Sequence, residues 1–519
     1  MILFDRQRIR TGSRYLTDES KTTGSAEYVV TPNDGNELRE AMRVNHSKGN
    51  RMTVSAMRTG VCGGCVPNGG YVLSLERMTG VIGIGRDERG YFARVLPCTT
   101  VRELNRVLTT RDFSRLVDVT PGAVESLKGE ATPWFYPIDP TELDGSIGGN
   151  IACNSSGPRT FKYGPTRDWV RRLDIVLADG QGMDITRGEF KAEGRRMTFP
   201  AGRELYSFEI PGYDFNRNVK NATGPMIEED MDLVDLFIGS EGIFGIIAEA
   251  DVYLAPWHPL LSLILFFRTD EDAIGTIRDI RNDGSIDPEF LEYMDCRSIE
   301  LVRRTMDGDP ALIRIPALPE YAGSAVFLDL NEDENIEGRI AKIGRIAEAH
   351  GGSLSRTWCG RDAQSRERMR ELRHSVPRTI FEYVASLKGS MPDIHKMGTD
   401  MSVPDDAADE MMAFYKERLD GSGLEYVIFG HMGDNHPHVE IILKSMEDFE
   451  KAKRVYAEFA EKAIELGGSP SAEHGIGKIK REYMRMMYGD EGIAGLRRIK
   501  DTMDPKGMLC PGNILEETR

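Results

Sequence analysis

The sequence predicts a multidomain α+β protein, and three observations carry that prediction. The chain has 519 residues, which at about 150 residues per unit suggests two to four folding units. Hydrophobic residues make up 40% and charged residues 29%, an ordinary mix for a packed chain and the wrong one for a disordered chain. Strand-like and helix-like stretches alternate through residues 27–110, and again after Trp257-His258-Pro259 in the manner of a two-layer domain of sheet and helices.

Taken in order, Glu37–Asn45 has helical spacing after a Pro32-Asn33-Asp34 start, and Thr53–Met57 and Tyr71–Leu75 read as short buried strands. Thr100-Val-Arg-Glu103 is a capping box that should open a helix, and Leu173–Ala178 before Asp179-Gly180 reads as a strand entering a hairpin turn. Beyond residue 259, Leu261–Phe267, Ala325–Leu330, Met401–Pro404 and Glu425–Phe429 read as strands. Helical patterns fall near 272–282, 335–350 and 363–386, and one long amphipathic helix runs from Ser445 to Gly467. The expected units are 1–258 in two lobes, 259–444, and a segment 445–519 that returns to the first unit.

Acids outnumber bases, 83 against 66, for a net charge of −17, which disfavours a phosphate backbone and so nucleic acid. The N-terminus lacks the apolar core of a secretory signal, and no apolar run approaches the roughly 18–20 residues of a membrane span. Seven cysteines, an odd number, are not a disulfide framework. A cytoplasmic location is expected, with peripheral membrane contact only through a partner.

Glycine is abundant, 54 residues, or roughly one in ten against a usual ~7%. It concentrates in three zones: residues 58–67, 145–164 and 235–256. Backbone N–H groups in such turns form anion-binding concavities, so three turns beside strands can converge on one large anionic ligand. Tight turns alone would explain any single zone equally well. The G-x-G-x-x-G dinucleotide pattern is not evident, which weakens a nicotinamide reading. Cys62-Gly-Gly-Cys65 has no second pair to complete a zinc or iron–sulfur site.

Arg58-Thr-Gly-Val-Cys-Gly-Gly64 resembles the pyrophosphate loop of the FAD-linked oxidases of the vanillyl-alcohol-oxidase and p-cresol-methylhydroxylase type. Pro137-Ile-Asp-Pro-Thr141, Gly145 to Gly157 and Lys162-Tyr-Gly164 resemble that family's second FAD segment, and Phe237–Ile247 its third. The resemblance runs over nearly the whole chain. It implies a two-lobed FAD-binding domain followed by a substrate cap built on an antiparallel sheet. The FAD contacts it implies are Arg58, Thr59, Gly60, Val61, Cys62, Gly63, Gly64, Pro140, Thr141, Gly145, Gly148, Gly149, Asn154, Ser155, Ser156, Gly157, Tyr163, Gly164, Glu241, Gly242, Gly245, Ile246, Ile247 and Asn513. Arg58 stands where many relatives have glycine. No histidine occurs in residues 51–160, where several relatives attach their flavin, so the FAD is expected to be non-covalent.

Six of the nine histidines lie between residues 374 and 474. The densest run is Gly430-His-Met-Gly-Asp-Asn-His-Pro-His-Val-Glu440, and Ser471-Ala-Glu-His-Gly475 follows. His436 and His438 are two apart, so an extended strand turns them to one side, and imidazoles with a carboxylate suit a divalent transition metal. These runs resemble the branch of D-lactate, glycolate and D-2-hydroxyglutarate dehydrogenases. The resemblance implies His431, His438 and Glu473 as ligands of zinc, manganese or iron, and His474 as base. This chain departs from the pattern at Asn435, His436 and Pro437. His436 replaces an asparagine and is read here as substrate-binding, as are Lys396 and Arg373, the last also counted with His474 as catalytic. For Arg373 a solvated arginine-rich helix face is the competing reading.

The expected chemistry is oxidation of a D-2-hydroxy acid by hydride transfer to flavin, with metal-assisted removal of the hydroxyl proton. The expected partners are that small acid and a separate electron acceptor (an electron-transfer protein, a quinone or oxygen), with a homodimer allowed. The alternatives are a flavoenzyme with no net redox change, like alkylglycerone-phosphate synthase, a phenol-oxidising flavoenzyme, and a non-enzymatic electron-transfer subunit.

Overall fold

The computed structural model describes residues 5–308, 312–391, 394 and 396–517; His395 lies outside them. The first lobe is a four-stranded sheet in the order Asp5–Arg8, Tyr28–Thr31, Tyr71–Ser74, Met52–Ser55. Its inner pairings are parallel, Tyr28 opposite Tyr71 and Thr53 opposite Val72. The helix Gly35–Lys48 carries the chain across from Tyr28–Thr31 to Met52–Ser55, leaving between them the place that Tyr71–Ser74 fills. Asp34 accepts from the Asn36 and Glu37 N–H groups to start that helix, Gly49 at φ 69° ends it, and Leu38, Ala41 and Met42 are its buried face. Half of the predicted capping box forms: the Thr100 hydroxyl accepts from the Glu103 N–H at 3.0 Å and opens Val101–Thr110, while the Glu103 carboxylate pairs with Arg106.

The second lobe is a six-stranded sheet with Ile246–Tyr253 near its centre, between Val170–Val176 and Tyr91–Val95. The third glycine zone therefore ends in the strand that ties this lobe together. Val170–Val176 turns through Gly180 into Gly182–Thr186, the predicted hairpin.

The cap is one seven-stranded antiparallel sheet, ordered Trp358–Gly360, Leu260–Phe267, Ser324–Asn331, Phe290–Met294, Glu425–His431, His436–Ile442, Met397–Gly398. It has helices on both faces rather than the two layers expected. Leu261, Leu263, Leu265 and Phe267 pack under Asp270–Asn282, Ile336–Ala349, Ala408–Ser422 and Met446–Glu465. Ile264 and Phe266 pack under Cys296–Thr305 and Ala363–Leu387. A strand covered on both sides reads as a nearly continuous apolar run, which is why Leu260–Phe267, interrupted only by Ser262, shows no alternation.

Two expectations change. Met401–Pro404 is not a strand: it makes one isolated bridge, Ser402 with Ser469, which joins it to the loop carrying Glu473. Met446–Glu465, grouped by sequence with the returning segment, belongs to the cap, because Phe449, Val455, Tyr456 and Phe459 complete the cap's own core. The return begins at Arg481–Met503, whose Met484, Leu496, Ile499 and Met503 pack in the core of the second lobe. The Cys510 N–H then donates to Met52 O and the Met52 N–H to Met508 O, both at 2.8 Å, so the tail docks on the edge of the first sheet. Among the described residues no helix is long and apolar enough to cross a membrane.

Candidate active site

The hairpin Glu425–His431 and His436–Ile442 builds one wall of the site. Its register sets His431 opposite His436 and Phe429 opposite His438, and the alternation of strand side chains then turns all three imidazoles to one face. Their ring centroids lie 5.3, 5.1 and 4.7 Å apart. Phe290, Glu292 and Met294 alternate on the neighbouring strand, so Glu292 points to that same face. Here the His431 Nδ1 lies 2.7 Å from Glu292 Oε1.

The loop after Met446–Glu465 brings Glu473 and His474 to this wall. Three ring nitrogens converge on Glu473 Oε1: His431 Nε2 at 3.5 Å, His438 Nε2 at 3.5 Å and His474 Nε2 at 3.6 Å. The other nitrogens of two rings face acceptors, the Glu292 carboxylate for His431 and the Thr399 carbonyl, at 3.1 Å, for His438. Each Nδ1 therefore carries a proton, and each Nε2 is the atom that a cation seated against Glu473 would engage.

This arrangement concentrates negative charge. Burial and the Lys220 ammonium push the His431 pKa down, but Glu473 and Glu292 outweigh them and raise it to about 9. Burial raises Glu292, yet Arg373 and His431 hold it down at about 2. Such a pocket calls for a cation, and His431, His436, His438 and Glu473 each offer a donor atom within 4.8 Å of the others. His431 Nε2 is buried with no hydrogen-bond partner.

Two carboxylates hold the loop. Asp400 is fully buried and accepts from the Glu473 and His474 N–H groups at 3.1 Å each, from the Ser471 hydroxyl at 2.8 Å and from Lys480 Nζ at 2.6 Å. Glu241 accepts from Ile476 and Gly477 N–H at 2.7 and 2.9 Å. Gly477 has to be glycine: it has φ +53°, and a Cβ there would lie 2.0 Å from the Cys62 carbonyl oxygen. The loop thus lies directly against the first glycine turn. His474 keeps 35% of its side chain exposed, with Nδ1 3.4 Å from Asp400. Burial lowers its pKa to about 4, with Asp400 pulling up and Lys480 pushing down, so the ring is neutral and able to accept a proton near pH 7.

The wall opens on a cavity of about 1490 Å³, lined among others by Thr59, Val61, Cys62, Pro140, Thr141, Arg373, His431, His438, Glu473 and His474. That exceeds the roughly 300–1,000 Å³ of an ordinary small-ligand pocket, leaving room for a large cofactor beside a small substrate. A Cβ on Gly60 would point into open space, and Asn150 Nδ2 and Ser156 Oγ are buried without partners. Neither of these two lines the cavity, so what fits an FAD is the cavity itself, walled by Thr59, Val61 and Cys62 of the first glycine turn.

The residues read from the sequence as FAD contacts divide. Thr59, Val61, Cys62, Pro140 and Thr141 line the cavity. Gly145, Gly148 and Gly149 surround the start of Ile147–Cys153, capped by Ser146, while Gly148 packs on Pro97. Gly63 and Gly242 hold φ +75° and +79°, and Gly64 O accepts from Asn513 Nδ2 at 3.0 Å. Gly157 O accepts from Lys220, Ser155 O from Thr166, and Gly164 has φ +76°. Gly245 packs on Ile175 and Phe237, and Ile246 and Ile247 fill the cores on opposite faces of their sheet.

Four polar side chains in that set are committed elsewhere. Arg58 donates to Ala56 O and lies over the Tyr15 ring, Asn154 donates to Asn221 O, Tyr163 donates to Glu289, and Glu241 holds the loop. Cys62 and Cys65 are free thiols that burial raises to about 12 and 11, so neither offers a thiolate.

Of the substrate residues, Arg373 lines the cavity with Nη1 3.4 Å from Glu292 and its guanidinium 4.7 Å above Phe290, while Lys396 lines it but pairs with Glu440 at 2.5 Å. His436 is corrected: it is 0% exposed and absent from the cavity wall, held behind His431 and His438, so it cannot touch substrate. Sequence reasoning missed Glu292, Asp400 and Lys220, whose Nζ reaches Glu473 Oε2 at 3.0 Å. The one available signal was Glu292, a charge in the otherwise apolar strand Phe290–Met294.

A two-lobed dinucleotide cradle whose cavity continues into a capped histidine–carboxylate wall defines a flavin-dependent oxidoreductase. The family described as FAD linked oxidases, C-terminal domain, matches residues 261–514, and the FAD binding domain matches 26–128 and 102–186. The chain belongs to the FAD-linked oxidases. It is 29% identical to the glycolate oxidase subunit GlcD of Bacillus subtilis, over 94% of this chain and 88% of that one. It is 25% identical to a D-lactate dehydrogenase of Anaerostipes hadrus, over 96% and 92%, and 26% identical to a D-2-hydroxyglutarate dehydrogenase of Xanthomonas citri, over 94% and 89%. In fold it is similar to p-cresol methylhydroxylase with substrate bound (TM-score 0.62, 15% identity, 95% of this chain and 89% of the other). Alkyldihydroxyacetonephosphate synthase shares the fold as well (TM-score 0.59, 14% identity, 95% and 77%).

Proposed function

We propose that the protein oxidises a D-2-hydroxy acid to the 2-oxo acid, passing the electrons to non-covalent FAD and then to a separate acceptor. The observation that carries this reading is the convergence of His431, His438 and His474 on one Glu473 oxygen in the wall of a cavity that also contains Arg373. The relatives named for glycolate, D-lactate and D-2-hydroxyglutarate support the substrate class.

His431, His438 and Glu473 would hold zinc, manganese or iron, which on binding the acid would lower the pKa of its hydroxyl. The Arg373 guanidinium is the cation for the substrate carboxylate, able to give it paired bonds. Neutral His474 takes the hydroxyl proton on Nε2, the ring being steered from its far side by Asp400. Flavin, when bound, supplies the hydride acceptor. Thr59, Val61 and Cys62 bring the first glycine turn to the same cavity, so acid and cofactor can share it.

Anaerobic mixing with a panel of D- and L-2-hydroxy acids tests the reading: a D-acid should bleach the flavin absorbance and its L-enantiomer should not. Bleaching by none of them sinks the proposal and leaves non-redox transfer on a phosphate ester as the working assignment. A chelator should abolish bleaching by the D-acid while the flavin stays bound. Unchanged bleaching after chelation, with no stoichiometric metal by elemental analysis, would remove the metal from the mechanism. Acid precipitation should leave a colourless pellet and a yellow supernatant, and a pellet that stays yellow after washing would show a covalent flavin.

A further inference from the structure

We propose that His436 is a ligand of the metal centre through Nδ1, so that this chain holds its metal with three imidazoles and one carboxylate. The inference rests on the metal reading above and adds a residue to it.

Three observations support it. First, His436 is 0% exposed, and neither of its ring nitrogens has a hydrogen-bond partner. Nε2 at least has the Asp400 carboxylate 3.2 Å away, whereas Nδ1 stands 4.0 Å from Glu473, and a ring nitrogen sealed from water in that way is costly unless something outside the protein completes it.

Second, the surroundings fix its tautomer. Nε2 lies 3.2 Å from Asp400 Oδ1, and Asp400 acts only as an acceptor, taking bonds from Lys480, Ser471 and two backbone N–H groups. The proton therefore belongs on Nε2 and the lone pair on Nδ1. That lone pair faces Glu473 Oε2 at 4.0 Å, another electron-rich atom. Lys220, the nearest cation at Oε2, already donates to that oxygen and to Gly157 O. A cation seated among Nδ1, Glu473 and the other imidazoles would remove the repulsion.

Third, the spacing suits one ion. Metal–nitrogen bonds of about 2.0–2.1 Å set donor atoms roughly 3–4 Å apart around a five-coordinate ion, which keeps one position open for the substrate. His431 and His438 stand 3.5 Å from Glu473 Oε1 and His436 stands 4.0 Å from Oε2, with all four donors within 4.8 Å of one another. The hairpin register supplies the reason, because His436 pairs with His431 and alternates with His438 on one face.

A third imidazole has a chemical consequence. Carboxylate-rich sites suit manganese and imidazole-rich sites suit zinc and iron, so His436 should tilt the centre toward zinc.

The test strips the flavoprotein of metal, titrates it with zinc and with manganese, and counts imidazoles at zinc by X-ray absorption in wild type, His436→Asn and His438→Asn. Wild type should bind one zinc with three imidazoles. His436→Asn should bind zinc at least about 10–100-fold more weakly, with two imidazoles and a smaller preference over manganese. Two imidazoles in wild type, with zinc affinity unchanged in His436→Asn, would overturn the role of His436 and leave the metal centre standing. No stoichiometric zinc in wild type, with His438→Asn indistinguishable from it, would overturn both. Should His436→Asn lose its flavin or fail to fold, the imidazole count in wild type decides alone.

Discussion

Replacing His474 with alanine is expected to slow flavin reduction by about 10²–10⁴-fold, the usual contribution of a positioned base. The geometry favours this ring over its neighbours. His431 and His438 have their Nδ1 atoms engaged by Glu292 and Thr399, and both Nε2 atoms face Glu473. His474 is the most exposed of the four imidazoles and lines the cavity. Its substitution leaves Arg373, His431, His438 and Glu473 in place, so FAD content and substrate affinity should change far less than the rate. Stopped-flow reduction with a C2-deuterated D-acid checks this, and a primary isotope effect should persist in the variant because hydride transfer remains. Reduction at near-wild-type speed would place the base elsewhere.

The second large effect is on stability. Asp400→Ala is expected to cost about 3–5 kcal/mol, the range for removing one partner of a buried ion pair, out of a typical total of roughly 5–15 kcal/mol. Asp400 is fully buried, its partner Lys480 keeps only 9% of its side chain exposed, and the Glu473 and His474 N–H groups lose their acceptor with it. Denaturant midpoints of the flavin-loaded protein measure the loss. Adding Lys480→Met to Asp400→Ala should recover part of the stability by removing the stranded ammonium, but not the rate, because the loop that presents Glu473 and His474 still lacks its acceptor. A midpoint for Asp400→Ala within about 1 kcal/mol of wild type would show that solvent replaces the carboxylate.

Much of the fold was legible from local signals. Asp34 and Thr100 start helices because a short polar side chain before an amphipathic run caps free N–H groups wherever it occurs. The long apolar run Leu260–Phe267 was legible as a strand, but its layers were not: a stretch with no alternation does not say how many faces are covered, and here helices cover both. Met446–Glu465 was correctly read as a helix and wrongly joined to the returning segment, since amphipathicity shows that a face is buried and not against what.

The same division runs through the site. By itself the sequence determined the family, through three glycine zones in the right order, and it singled out His431, His438, Glu473 and His474, because ligand-type side chains crowded into two short runs are a local signal. Tertiary structure alone decided which groups surround them. Glu292 reaches His431 across 139 residues, and Lys220 reaches Glu473 across 253. Glu241, read as a cofactor contact, instead accepts backbone N–H groups 235 and 236 residues away. His436, read as touching substrate, lies sealed behind its neighbours at 0% exposure. Which face of a strand is open to a cavity, and which buried charge meets which, depends on how distant segments pack, and spacing along the chain carries no record of it.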